Sequence, residues 1–347
     1  MRNLLGRSLR ACATLLGLVA VAFVLLRLAP GDPAQLRFAS ADAVEAGAAA
    51  EALARFRAEH LLDRPLHVQF LHYLGPFDLG PDGHALFGGS GARPLGGLLA
   101  GDFGREYLRP DVEIASELFG RLSITVPLAL VSALLAYALA LPLGVWQGLR
   151  RGSAFDGWTR ALALLAYSAP VFWVALLLQE GLGPTGLDWL PILGLRSRDA
   201  ASGDVVDLAA HAVLPIACLS YASIATISRQ MRAATAEVAS SDFVLAARAR
   251  GVPERAVLWR HIVRNAIVPA ITMVGQVLPW LVGGSVLVET VFEIPGMGKY
   301  AFDSLQRREY DAVAACVLVS GVMTLAGLAL SDFLQARLDP RVRDAGR

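Results

Sequence analysis

A chain of 347 residues that is 55% hydrophobic and only 18% charged is not an ordinary soluble domain, in which about a quarter of residues are charged. Its formal net charge of +1 offers no basic excess, so no nucleic-acid partner is expected. A mean hydropathy of +0.51 points to an integral membrane protein.

Six runs free of Asp, Glu, Lys and Arg lie at about 11–26, 124–146, 161–179, 211–228, 266–288 and 312–331. Crossing roughly 30 Å of hydrocarbon takes about 20 predominantly apolar helical residues. In lipid only a helix or a closed barrel satisfies its own backbone, and these runs lack the alternation of barrel strands. The expected fold class is therefore an all-α integral membrane protein with six transmembrane helices.

In chain order, residues 1–29 form a cytoplasmic N-terminus and the first span. Arg2, Arg7 and Arg10 precede it as they would a signal peptide. The run is longer than a usual signal core and ends in "RLAPGDP" without a clear small-x-small cleavage site, which favours an uncleaved span. Arg27 is expected to lay its stem in lipid with its head in water. Residues 30–121 form a large extracytoplasmic segment after helix 1. Within 42–72, Leu53, Phe56, His60, Leu61 and Leu62 recur at helical intervals, and the Gly- and Pro-rich stretch that follows reads as a loop. His60, His67, His72 and His84 are expected to be surface histidines, since no tight ligand pair with nearby carboxylates emerges.

Residues 122–335 hold the remaining five spans. Pro127, Pro142, Pro170, Pro215, Pro269 and Pro279 fall in or at the ends of these helices. They are either ordinary membrane-helix composition or bends in a fourth and fifth helix lining a path. Apart from His211 at its mouth, no span has an ionisable residue deep inside, which counts against ion-coupled transport. The only lysine, Lys299 in "IPGMGKY", is followed by Tyr300, and Glu293 stands where a phosphate loop needs its first glycine. Nothing suggests a catalytic residue, a cofactor or a metal site. Cys12, Cys218 and Cys316 all fall in spans and read as small buried apolar residues.

Six spans put both termini on one side. Segments 1–10, 147–160, 229–264 and 336–347 hold 17 of the 31 basic residues in 72 positions. Segments 30–121, 180–210 and 289–311 hold 13 in 146 positions, against 23 acids. The positive-inside rule therefore places both ends, including the tail 336–347, and the loop 229–265 in the cytoplasm.

That loop, between helices 4 and 5, contains "FVLAARARGVPERAVLWRHIVRN" at 243–265. Ala246, Ala247 and Ala249 favour a helix, Gly251 stops it, Pro253 begins a second, and Glu254 suits its first turn. The pattern predicts two short helices at a sharp bend. Their small residues would let a partner's backbone approach, and their arginines would pair with its acidic groups.

The loop resembles the EAA loop of ABC-importer permeases, whose two alanines, three residues and glycine are Ala246, Ala247 and Gly251 here. Leu245 stands where the wider family has glutamate. "ARARG" followed by "HIVRN" is similar to the peptide/nickel branch of that family. So are "LAPGDP" (28–33), "LLDRPLHVQF" (61–70), "GDFGRE" (101–106), "SAPVFW" (168–173), "HAVLP" (211–215), "ETVFEIPGMGKY" (289–300), "REYDAV" (308–313) and "LDPRVR" (338–343). Glu106 replaces a common serine, and the Gly-rich stretch 75–99 is longer than the family leads one to expect. The chain thus resembles the B-type permease of oligopeptide/dipeptide ABC importers.

The resemblance implies a multi-pass protein of the bacterial inner membrane that pairs with a second, homologous permease. Two cytoplasmic ABC ATPases and an extracytoplasmic peptide-binding protein would complete the machine. The ATPase-coupling residues would be Ala246, Ala247, Arg248, Arg250, Gly251, Pro253, Glu254, His261 and Arg264. The same architecture could import nickel or another small solute, or serve a non-importing ABC assembly, scaffold or channel.

Overall fold

A computed structural model describes residues 2–29, 31, 34, 46–75, 97–197 and 204–338. Outside them fall His84, residues 76–96 of the Gly-rich stretch, most of "APGDP" and the tail from 339 on. Among the described residues the chain is helical, with one isolated bridge between Arg105 and Glu113. The helices are α1 (Arg2–Leu28), α2 (Ala46–Glu59), α3 (Leu66–Leu74), α4 (Ile114–Leu149), α5 (Ala154–Ser168), α6 (Val171–Leu182) and α7 (Val205–Ala239). There follow α8 (Asp242–Ala249), α9 (Glu254–Ala256), a π-helical segment (Val257–Val263), α10 (Arg264–Ala266), α11 (Val268–Thr272), α12 (Val274–Val291), α13 (Met297–Arg307) and α14 (Tyr310–Leu338). The chain divides into two compact units, Met1–Ser123 with Tyr300–Val322, and Ile124–Lys299 with Met323–Arg347.

Four helices are long and apolar enough to cross a membrane: Leu9–Leu28, Ile114–Leu149, Val205–Ala239 and Tyr310–Gln335. The third expected span is a bent pair, α5 and α6, meeting at 103°. Pro170 forces Ala169 into extended backbone (ψ 125°), which ends α5, and Tyr221 of α7 donates its hydroxyl to the Ala169 carbonyl at 2.7 Å. The fifth run is divided among α11 and α12, and the fourth runs unbroken through Pro215 as α7. Among the described residues, the six spans read from composition thus correspond to four long helices, one bent pair and one segmented run.

In the first unit, Val19 and Phe23 of α1 pack with Tyr73 of α3 and Ala314 of α14. From Ala46 on, the helical pattern expected within 42–72 is two helices, because Leu61 turns the chain at φ 54° while remaining buried. Arg27 does not reach outward: its side chain is 7% exposed and pairs with Asp311 at 3.3 Å and the Tyr107 hydroxyl at 3.2 Å. Cys218 and Cys316 are buried as expected, whereas Cys12 is exposed on α1.

In the second unit, α4 presents Ala129, Ala136 and Ala140 to the core and continues the stripe with Gly144 and Gly148. A Cβ on Gly144 would lie 2.6 Å from both Met231 Cβ and the Ser228 carbonyl; one on Gly148 would lie 2.6 Å from Thr235 Cβ. Lipid tails are as apolar as leucine, so such helices associate through close packing, and small residues four apart supply the closeness. Leu134, Trp158, Leu162 and Leu165 remain exposed, as lipid-facing side chains would.

Candidate functional site

The loop after α7 is built from local signals. α7 closes at Ser240, Ser241 takes extended backbone (ψ 150°), and Asp242 opens α8. At the other end of α8, Gly251 adopts φ +77°, its N–H bonds the Arg248 carbonyl at 2.9 Å, and the Val252 N–H reaches the Ala247 carbonyl at 3.2 Å. This is a Schellman stop, which needs left-handed backbone that glycine takes without strain. Pro253 sits at the N-cap of α9, one place ahead of the expected first helical position, and Glu254 occupies the first turn.

A small core fixes the bend. Val244 of α8 packs with Val257 and Ile262 of the π segment, all within 1% of full burial, and Val252 packs against them. Ala247 faces inward with these residues, while Ala246, Arg248, Arg250, Gly251, Pro253, Glu254 and Arg264 are exposed and His261 is half-buried. Arg248 Nε bonds Glu254 Oε1 at 2.8 Å, bridging the two arms, and Arg250 Nε bonds the Ala246 carbonyl at 3.1 Å. His261 and Arg264 stand farther along, at the end of the π segment. The structure thus brings Arg248 to Glu254 and Arg250 to Ala246, around the Gly251–Pro253 turn. The outer face combines small residues, cations and two exposed apolar side chains, Phe243 and Leu245.

Sequence reasoning missed three polar constellations. At the start of α5, Asp156 is 1% exposed, accepts both Nε and Nη2 of Arg232 on α7, and also takes the Gly152 N–H at 3.0 Å. At the end of α12, buried Glu289 accepts the Thr125 hydroxyl at 2.7 Å and the Lys299 N–H at 2.9 Å. A Cβ on Gly296 would strike this carboxylate at 2.4 Å, which is why the "PGMG" turn is glycine there. In the first unit, Glu309 accepts the N–H groups of Tyr107 and Leu108 at 2.5 and 2.7 Å, and burial keeps its carboxyl above the usual range. Glu106 bonds Arg109 at 2.7 Å and accepts the Tyr300 hydroxyl at 2.9 Å. Glu106, Glu289 and Glu309 lie in the quoted motifs "GDFGRE", "ETVFEIPGMGKY" and "REYDAV", whereas Asp156 and Arg232 lie in none of them.

Residues 140–344 match the family model for the inner membrane component of binding-protein-dependent transport systems. The match covers the whole loop 243–265 as well as Gly144, Gly148, Asp156 and Arg232. The chain belongs to this family. It is a membrane permease subunit of an ABC transport system. The similarity extends end to end: it is 31% identical to the oligopeptide transport system permease AppB of Bacillus subtilis, covering 98% of both chains. It is 30% identical to the dipeptide permease DppB of Escherichia coli K12, covering 95% of both, and 33% identical to a putative peptide permease of Brucella suis, covering 99% of both. Among solved structures, a chain of an amino acid ABC transporter aligns with a TM-score of 0.47 and 17% identity, covering 64% of this chain and 94% of that one.

Proposed function

We propose that this chain and a second, related permease form the pathway of an ATP-driven importer of dipeptides or oligopeptides. Full-length similarity to permeases named for peptide transport carries the cargo class. The chain would hold no ATP site of its own and would receive work from two cytoplasmic ATPases docked on α8 and α9. An extracytoplasmic binding protein would deliver the peptide.

The exposed face of the loop supports this docking. Ala246 and Ala249 keep α8 thin enough to enter a cleft, and Arg248, Arg250, Arg255 and Arg260 offer donors to acidic groups there. Leu245, half exposed at 52%, supplies apolar contact where the wider family has a carboxylate. ATP-driven closure of the ATPases would displace the loop, and the helices above would move as rigid bodies between outward and inward openings.

The test is uptake in cells whose own peptide importers are deleted, with labelled dipeptides, oligopeptides and nickel ion offered separately. Peptide accumulation that depends on this chain is expected. Accumulation of nickel alone would overturn the cargo assignment, and a tagged protein recovered from detergent without ATPases or a second permease would overturn the machine.

A further inference from the structure

The reading of 243–265 as the coupling loop raises a mechanical question. α7 is 35 residues long, about 50 Å at 1.5 Å per residue. Only Ser240 and Ser241 separate it from α8. A rod pushed at one end transmits the push only if its last turns are held sideways; otherwise the end swings and the displacement is lost.

Those last turns are held on two sides. Towards α4, Gly144 and Gly148 bring that helix onto residues 228–235, with no room for a methyl group at either glycine. Towards α5, Arg232 is bound by Asp156 through two parallel hydrogen bonds. A bidentate pair fixes angle as well as distance. Asp156 is itself set by the Ser153 cap, whose hydroxyl accepts the Asp156 N–H at 3.2 Å, and by the Gly152 N–H. Stability alone does not call for such a pair, because apolar replacements of buried ion pairs are often as stable; what the pair adds is a fixed register.

We propose that Asp156 and Arg232, with Gly144 and Gly148 opposite, are positioning residues that make the inner end of α7 a stiff lever for the coupling loop. Loosening the clamp should separate ATP hydrolysis from transport rather than abolish both.

The test uses the whole transporter in proteoliposomes, with D156N and R232K and the charge-reversed double variant D156R/R232D. Assembly is followed by crosslinking D242C, at the exposed start of α8, to the ATPase with a bifunctional thiol reagent, and peptide uptake and ATP hydrolysis are measured together without that cysteine. In D156N and R232K the crosslink and hydrolysis should persist while peptide transported per ATP falls about tenfold, with partial recovery in the double variant. Uptake falling only in step with the amount of assembled complex, or an unchanged ratio with the crosslink intact, overturns the lever and leaves the coupling loop standing. Absence of the crosslink in the otherwise unaltered protein overturns the coupling reading, and this proposal with it.

Discussion

Gly251 carries the bend of the loop in its backbone rather than in contacts. Nothing lies within 4 Å of where its Cβ would be, yet its φ is +77°. A replacement therefore meets conformational strain of about 1–2 kcal/mol and no clash. G251V should insert normally but lose uptake, whereas G251N should retain much more of it, because asparagine tolerates left-handed backbone. Equal loss in both would mean that the turn is not what matters.

At the scale of elements, the breaks in the chain differ in kind. The α5–α6 corner is set by Pro170 and held by Tyr221, so it is a fixed feature of the second unit. The segment after α9 is a run of π-helical turns followed by two short helices, and π turns cluster where a helix does functional work. Beside it lies an apolar cavity of about 500 Å³, walled by Val145 and Trp146 of α4 and by Trp259 and Val263 of the π segment. The loop 243–265 thus lies between α7, which packs closely on α4 and is hydrogen-bonded to α5, and an arm bordered by an apolar cavity. Of the two runs whose prolines left a bend open, the fourth continues through Pro215 as one helix, α7, and the fifth is divided among shorter helices. The Arg248–Glu254 bridge is exposed, and exposed pairs contribute roughly 0–1 kcal/mol. Its use is to hold two arms in register.

At the scale of the whole molecule, the orientation we propose from the charge bias has both termini and the loop 243–265 in the cytoplasm. In sealed right-side-out vesicles, a cysteine at position 248 should resist a membrane-impermeant maleimide until the membrane is opened, whereas one at position 202, between the third and fourth runs, should react at once. The reverse order would invert the topology. Composition and local pattern sufficed for the membrane class, for the helix–glycine–proline–helix shape of 243–265 and for the family. Each of those signals is written within a few residues or in the bulk apolar content, so no folding is needed to see it. What tertiary structure alone decided is which distant polar groups meet: Asp156 with Arg232 across 76 positions, Thr125 with Glu289 across 164, and Tyr107 with Glu309 across 202. In the sequence Arg232 is one more cytoplasmic cation and Arg27 one more residue at a span's edge. A lone charge carries no mark of the partner that folding will give it, and helix periodicity says nothing of a contact made between helices.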